Sequence, residues 1–95
     1  MRVSEDRRAG LMTHYFFDTE NGDRTCDEEG IELANLQAAK VEAALLMGEL
    51  IRDREGEIWA TGWLRLVVRD AARRPLFMIE TRVQAEPSGL GGWSD

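Results

Sequence analysis

Two stretches near the C-terminal end of the chain alternate between apolar and polar positions. In Trp63 to Arg69, Leu64, Leu66 and Val68 fall on one side, with Arg65, Val67 and Arg69 on the other. In Leu76 to Gln84, Phe77, Ile79, Thr81 and Val83 share a side. A period of two is the strand period. Only Asp70 to Pro75 separates the stretches, too little chain for a parallel crossover, so they are expected to form an antiparallel hairpin. Upstream the period changes. Leu36, Ala39, Ala43, Leu46, Met47 and Leu50 recur at helical steps and define one stripe of a helix running to about Asp53. Asn35 stands where a side-chain oxygen can cap the first free N–H groups. Gly56 reads as a stop signal, and Glu57 to Thr61 has no clear period, with Trp59 as its natural anchor.

Thr13-His14-Tyr15-Phe16-Phe17-Asp18 is short and aromatic and reads as a strand. Asn21-Gly22 follows, the pair that a two-residue type I′ turn requires. The return arm, Arg24 to Asp27, is polar and suits an edge strand. The predicted order is β-β-α-β-β: a small antiparallel sheet with one long helix packed on one face, an α+β fold. Residues 1–12 read as a disordered lead, 13–86 as a single domain, and the Gly-rich residues 87–95 as a flexible tail.

With 95 residues, the chain is one small domain with a limited core, a size at which self-association commonly adds stability. No apolar run approaches the roughly 18–20 residues that cross a bilayer. The start lacks the apolar core of a secretory signal. The lone Cys26 cannot form an internal disulfide, which fits a reducing cytoplasm. The net charge of −6 lies wholly in Asp18 to Leu33, which holds seven acids and one base. Arg65 to Arg82, by contrast, sums to +3. The chain is therefore electrically polar, a property that can close within the fold or guide a contact between molecules.

Neither composition nor spacing assembles a reaction centre. Counted from Asp18, the acidic segment fails the register of a calcium loop, because Gly22 is fifth and Arg24 seventh. Asp27, Glu28 and Glu29 remain as a weak candidate for a divalent ion. His14 has no second histidine or serine partner, and Cys26 sits among acids that disfavour its thiolate. No glycine pattern matches a phosphate loop. No cofactor, metal or catalytic residue is expected. Two surface features remain. Val41 and Leu45 lie one turn apart on the side of the helix away from its apolar stripe, and predict a homodimer or peptide-binding face. Arg65, Arg69, Arg73 and Arg74 form a candidate basic patch, the footing for a nucleic-acid-associated alternative.

The run Tyr15-Phe16-Phe17-Asp18, Asn21-Gly22, Asp27-Glu28-Glu29-Gly30, Leu36-Gln37-Ala38-Ala39 and Glu42-Ala43 resembles a family of short alphaproteobacterial proteins that share a domain of unknown function. The resemblance spans about Thr13 to Val83. It implies a bacterial, cytoplasmic protein and brings no activity, cofactor or site residue with it. The layout alone is also similar to small antitoxin domains of the HicB type, whose Pro-Asp-Leu-Pro-Gly step before the helix is absent here. The expectation is a non-enzymatic domain acting by protein–protein interaction or self-association, with a nucleic-acid-associated or antitoxin-type regulator as the alternative.

Overall fold

The computed structural model describes residues 12–84. The expected lead and tail fall outside them, apart from Met12, which is exposed. Five strands and two helices follow one another: β1 (Thr13–Glu20), β2 (Arg24–Thr25), β3 (Ile31–Leu33), α1 (Leu36–Asp53), α2 (Glu55–Thr61), β4 (Trp63–Arg69) and β5 (Pro75–Arg82). All strand pairs are antiparallel, and the main order is β2-β1-β4-β5, with β3 also on β1. This is the small α+β fold that the patterns imply.

The core lies where the two periods meet. Leu64, Leu66 and Val68 are fully buried on the inner side of β4, between Tyr15 and Phe17 of β1 and the inner side of β5. Each contributes about 1.5–3 kcal/mol relative to an exposed side chain. Ala39, Ala43 and Met47 of α1 close the layer from above, and Leu46 and Leu50 pack at its margin. Two alanines in the buried stripe let the helix axis approach the sheet closely. Asn35 caps α1 as expected, its Oδ1 accepting the Ala38 N–H at 2.8 Å. Among the described residues, the opposite face of the sheet carries no helix.

Four local expectations are corrected. First, Gly56 does not stop the long helix. The helix ends at Asp53, and Gly56 lies inside a second short helix, α2. Second, Trp59 does not anchor that segment. Ile58 is the buried residue at 2% exposure, and Trp59 points outward at 53%. Third, the first hairpin is not a two-residue type I′ turn. Glu20 pairs with Arg24, leaving three residues in the loop, and only Gly22 has positive φ. The Asn21 side chain is engaged elsewhere, donating to Glu57 Oε1 of α2 at 2.9 Å. Fourth, the return arm is a strand over two residues only, and a third strand, β3, follows it. Continued in register, β2 would set residue 29 opposite Tyr15; β3 sets Ile31 there. The strand along this edge of β1 therefore takes up two extra residues between its halves, as an enlarged bulge. The Cys26 to Gly30 loop is that insertion.

Candidate functional site

Two places concentrate features beyond ordinary packing. The first is the insertion loop and the arginines facing it. Asp27 organises the loop. Its Oδ2 accepts the Phe17 N–H at 3.1 Å, replacing the bond an uninterrupted edge strand would make. Its Oδ1 accepts the N–H groups of Glu29 and Gly30, both at 3.1 Å. Its own N–H donates to Asp18 Oδ1 at 2.9 Å. Burial pushes the Asp27 carboxyl upward, but the amides of Gly30, Phe17 and Glu29, with the charge of Arg73, more than offset this and hold its pKa below the ordinary value. Gly30 is required at the end of this loop. Its φ is 71°, and a Cβ there would lie 2.5 Å from His14 Nε2 and 2.7 Å from the Tyr15 carbonyl oxygen. His14 seals the turn, its Nε2 within 2.6 Å of the Glu29 carbonyl oxygen.

Asp18 lies beneath, 2% exposed, on the helix-free side of β1. Arg69 Nε donates to its Oδ2 at 2.8 Å, and Arg24 stands 3.8 Å away. Arg73 reaches over from the β4–β5 turn. Its guanidinium sits 3.8 Å above the centroid of the Phe16 ring and donates to the Asp27 carbonyl oxygen at 3.1 Å. Arg73 is the one non-glycine residue with positive φ, 68°, among those described. Asp70 holds that turn open, taking the N–H groups of Ala72 and Arg74 on Oδ1, both at 2.9 Å. These amides, Arg74 first, and the Arg74 side chain lower the Asp70 pKa.

The four arginines of the predicted basic patch share the sheet's open side and its β4–β5 turn, but each is already engaged. Arg65 bridges Glu20 and Glu80 at 3.2 and 2.9 Å and stacks on Trp63. Arg69 serves Asp18, Arg73 serves Asp27 and Phe16, and Arg74 serves Asp70. Asp18 and Glu20 of the acidic segment thus meet Arg69 and Arg65 of the basic segment inside the fold. Sequence spacing could not show this, because the Arg69–Asp18 pair joins residues 51 positions apart. Asp27 spends both its oxygens on backbone amides. Among the described residues, no three His, Cys, Asp or Glu side chains are arranged to hold a metal ion. Cys26 is free and exposed.

The second place is the outer face of α1. Val41 and Leu45 are 52% and 62% exposed. Gln37, Ala44 and Gly48 complete the solvent-facing stripe, all exposed, so no charged side chain interrupts it from Gln37 to Gly48. A Cβ on Gly48 would meet nothing within 4 Å. Glu49 is exposed and Glu42 half-buried along one flank.

The fold and its two surfaces define a small, one-sided α+β domain, pinned by an internal acid–arginine clasp. The chain belongs to the family described as a domain of unknown function, DUF6894, whose model matches residues 14–82. No curated protein and no solved structure matches it. Among the described residues, no helix is long and apolar enough to cross a membrane.

Proposed function

We propose that this domain works by binding another protein, without a catalytic centre of its own, and that the outer face of α1 is where the partner docks. The observation that carries the reading is the uncharged stripe of Gln37, Val41, Ala44, Leu45 and Gly48 on a helix whose buried side faces the other way. Two large aliphatic groups left mostly in water, one turn apart, form an apolar ridge. Ala44 and Gly48 leave room beside Leu45 for a ridge from an opposing helix. Gly48 adds weight, since a glycine inside an exposed helix costs about 1 kcal/mol relative to alanine and nothing among the described residues requires it. The fitting partner is an amphipathic helix with an apolar stripe and basic residues along the edge that passes Glu42 and Glu49. The nucleic-acid alternative finds less support, because Arg65, Arg69 and Arg74 already pair with carboxylates of the fold itself and Arg73 is held by the Asp27 carbonyl oxygen and the Phe16 ring. The family resemblance and the free Cys26 point to a bacterial cytoplasm as the setting.

The test is a comparison of affinity-purified protein from host lysate, wild type against Leu45→Glu and Gly48→Leu. A stoichiometric companion held by the wild type, and released by both variants while their circular dichroism is unchanged, is the expected result. A companion retained by both variants would place the docking surface elsewhere.

A further inference from the structure

Among the described residues β5 is an edge strand with no further strand beside it, and it differs from the opposite edge. There β2 and β3 are short and interrupted by the Cys26–Gly30 loop. β5 is eight residues long and regular, with its one irregularity confined to the Val68/Arg69 end of its pairing with β4. The Val83 N–H donates to the Gly62 carbonyl oxygen at 3.0 Å, and this sets the phase of the β4–β5 ladder. In that register Phe77, Ile79, Thr81 and Val83 turn their backbone groups toward β4. Met78, Glu80, Arg82 and Gln84 turn theirs outward, toward no strand of the described chain. Natural sheets protect such an edge with lysines, inward charges, bulges or a covering element. Along Met78 to Gln84 there is no lysine, bulge or proline, its two charged side chains, Glu80 and Arg82, are of opposite sign and pair with each other, and Met78 is 54% exposed.

We infer that β5 pairs with β5 of a second copy of this chain, antiparallel, about a two-fold axis through Thr81. The sequence is self-complementary in that register. Glu80 lies opposite the second copy's Arg82, and the pair occurs twice. Ile79 lies opposite Val83, also twice, and Thr81 opposite Thr81. Met78 and Gln84 complete four reciprocal hydrogen-bonded pairs, so every outward backbone group from Met78 to Gln84 finds a partner. The neighbouring registers are poorer. An axis at Glu80 sets two carboxylates face to face, and an axis at Ile79 places Glu80 against Met78 and Arg82 against Leu76. Burial favours the same arrangement. The inner residues of β4 are fully covered, whereas Phe77, Ile79, Thr81 and Val83 of β5 are only half-buried beside the open edge. A second β5 continues the sheet and covers Ile79 and Val83. The axis is perpendicular to the sheet, so both α1 helices stand on the same side. The dimer is therefore bivalent toward whatever α1 binds, yet its formation does not depend on that reading.

Sedimentation equilibrium of the full chain at on the order of 100 µM, with amide exchange read by NMR, tests this. The expected mass is twice the 10.8 kDa of the chain. The amides of Met78, Glu80, Arg82 and Gln84 should exchange on the order of 100-fold more slowly than on dilution to monomer. Arg82→Glu changes a side chain that is 70% exposed but that also pairs with Glu80 of its own chain, so circular dichroism of the variant must match the wild type. It sets like charges opposite each other and should weaken the dimer about tenfold or more. Met78→Pro removes an outward N–H and should give monomer. Leu45→Glu should leave the dimer intact. A monomeric wild type, a dimer indifferent to Arg82→Glu and Met78→Pro, or a dimer abolished by Leu45→Glu would each overturn the proposal.

Discussion

Asp18 and Arg69 show what a single pair does in a domain this small. The Asp18 carboxylate is almost wholly out of water, and its stability rests on Arg69 at 2.8 Å and the Asp27 N–H at 2.9 Å. Removing one partner of such a pair strands a buried charge, at a typical cost of about 3–5 kcal/mol. Arg69→Met is therefore expected to unfold much of the population in mild urea, and adding Asp18→Asn should recover a large part, since a neutral amide costs less to bury. Urea melts of the single and double variants check this. Asp27 makes a second prediction. Its folded pKa lies below the ordinary carboxyl value, so its contribution is complete above the unfolded pKa and is lost as pH falls through the folded one. Stability should fall below roughly pH 4, and Asp27→Asn should be less stable at neutral pH with a shallower acid limb. Urea midpoints across the acid range measure both slopes.

At the scale of elements, α1 separates folding from binding. Its inner stripe of Ala39, Ala43 and Met47 serves the core, and its outer stripe packs against none of the other described elements. Gly48→Ala should thus stabilise the domain by about 0.5–1 kcal/mol, seen as a raised melting temperature, while crowding the ridge beside Leu45. The stripe, the Asn35 cap and the β4–β5 hairpin were legible because each rests on local spacing. β3 was not, because Ile31-Glu32-Leu33 is too short to show a period and forms only through pairing with Thr13 to Tyr15. The first turn was misread for a related reason: Asn21 is drawn away by Glu57, 36 residues distant in sequence. Of the site residues, Val41 and Leu45 could be read from helical phase alone. The engagement of Arg65, Arg69, Arg73 and Arg74 depends on the β1–β4 register and on the β4–β5 turn folding toward the Cys26–Gly30 loop, neither of which the pattern states.

At the scale of the molecule, part of the charge asymmetry is met inside the fold, where Asp18 and Glu20 pair with Arg69 and Arg65, while Asp23, Glu28, Glu29 and Glu32 stay exposed. Two further surface features stand out: a helix stripe uncharged from Gln37 to Gly48, and a self-complementary strand at the edge. Both are means of meeting another protein chain, and association of this kind is the proposed mode of action. Native mass spectrometry of the protein, gently purified from its host, tests that claim most directly. The expected species has twice the 10.8 kDa of the chain and carries a companion protein that Leu45→Glu releases without splitting the pair. A lone 10.8 kDa chain, or one carrying only a ladder of nucleotides, would contradict it.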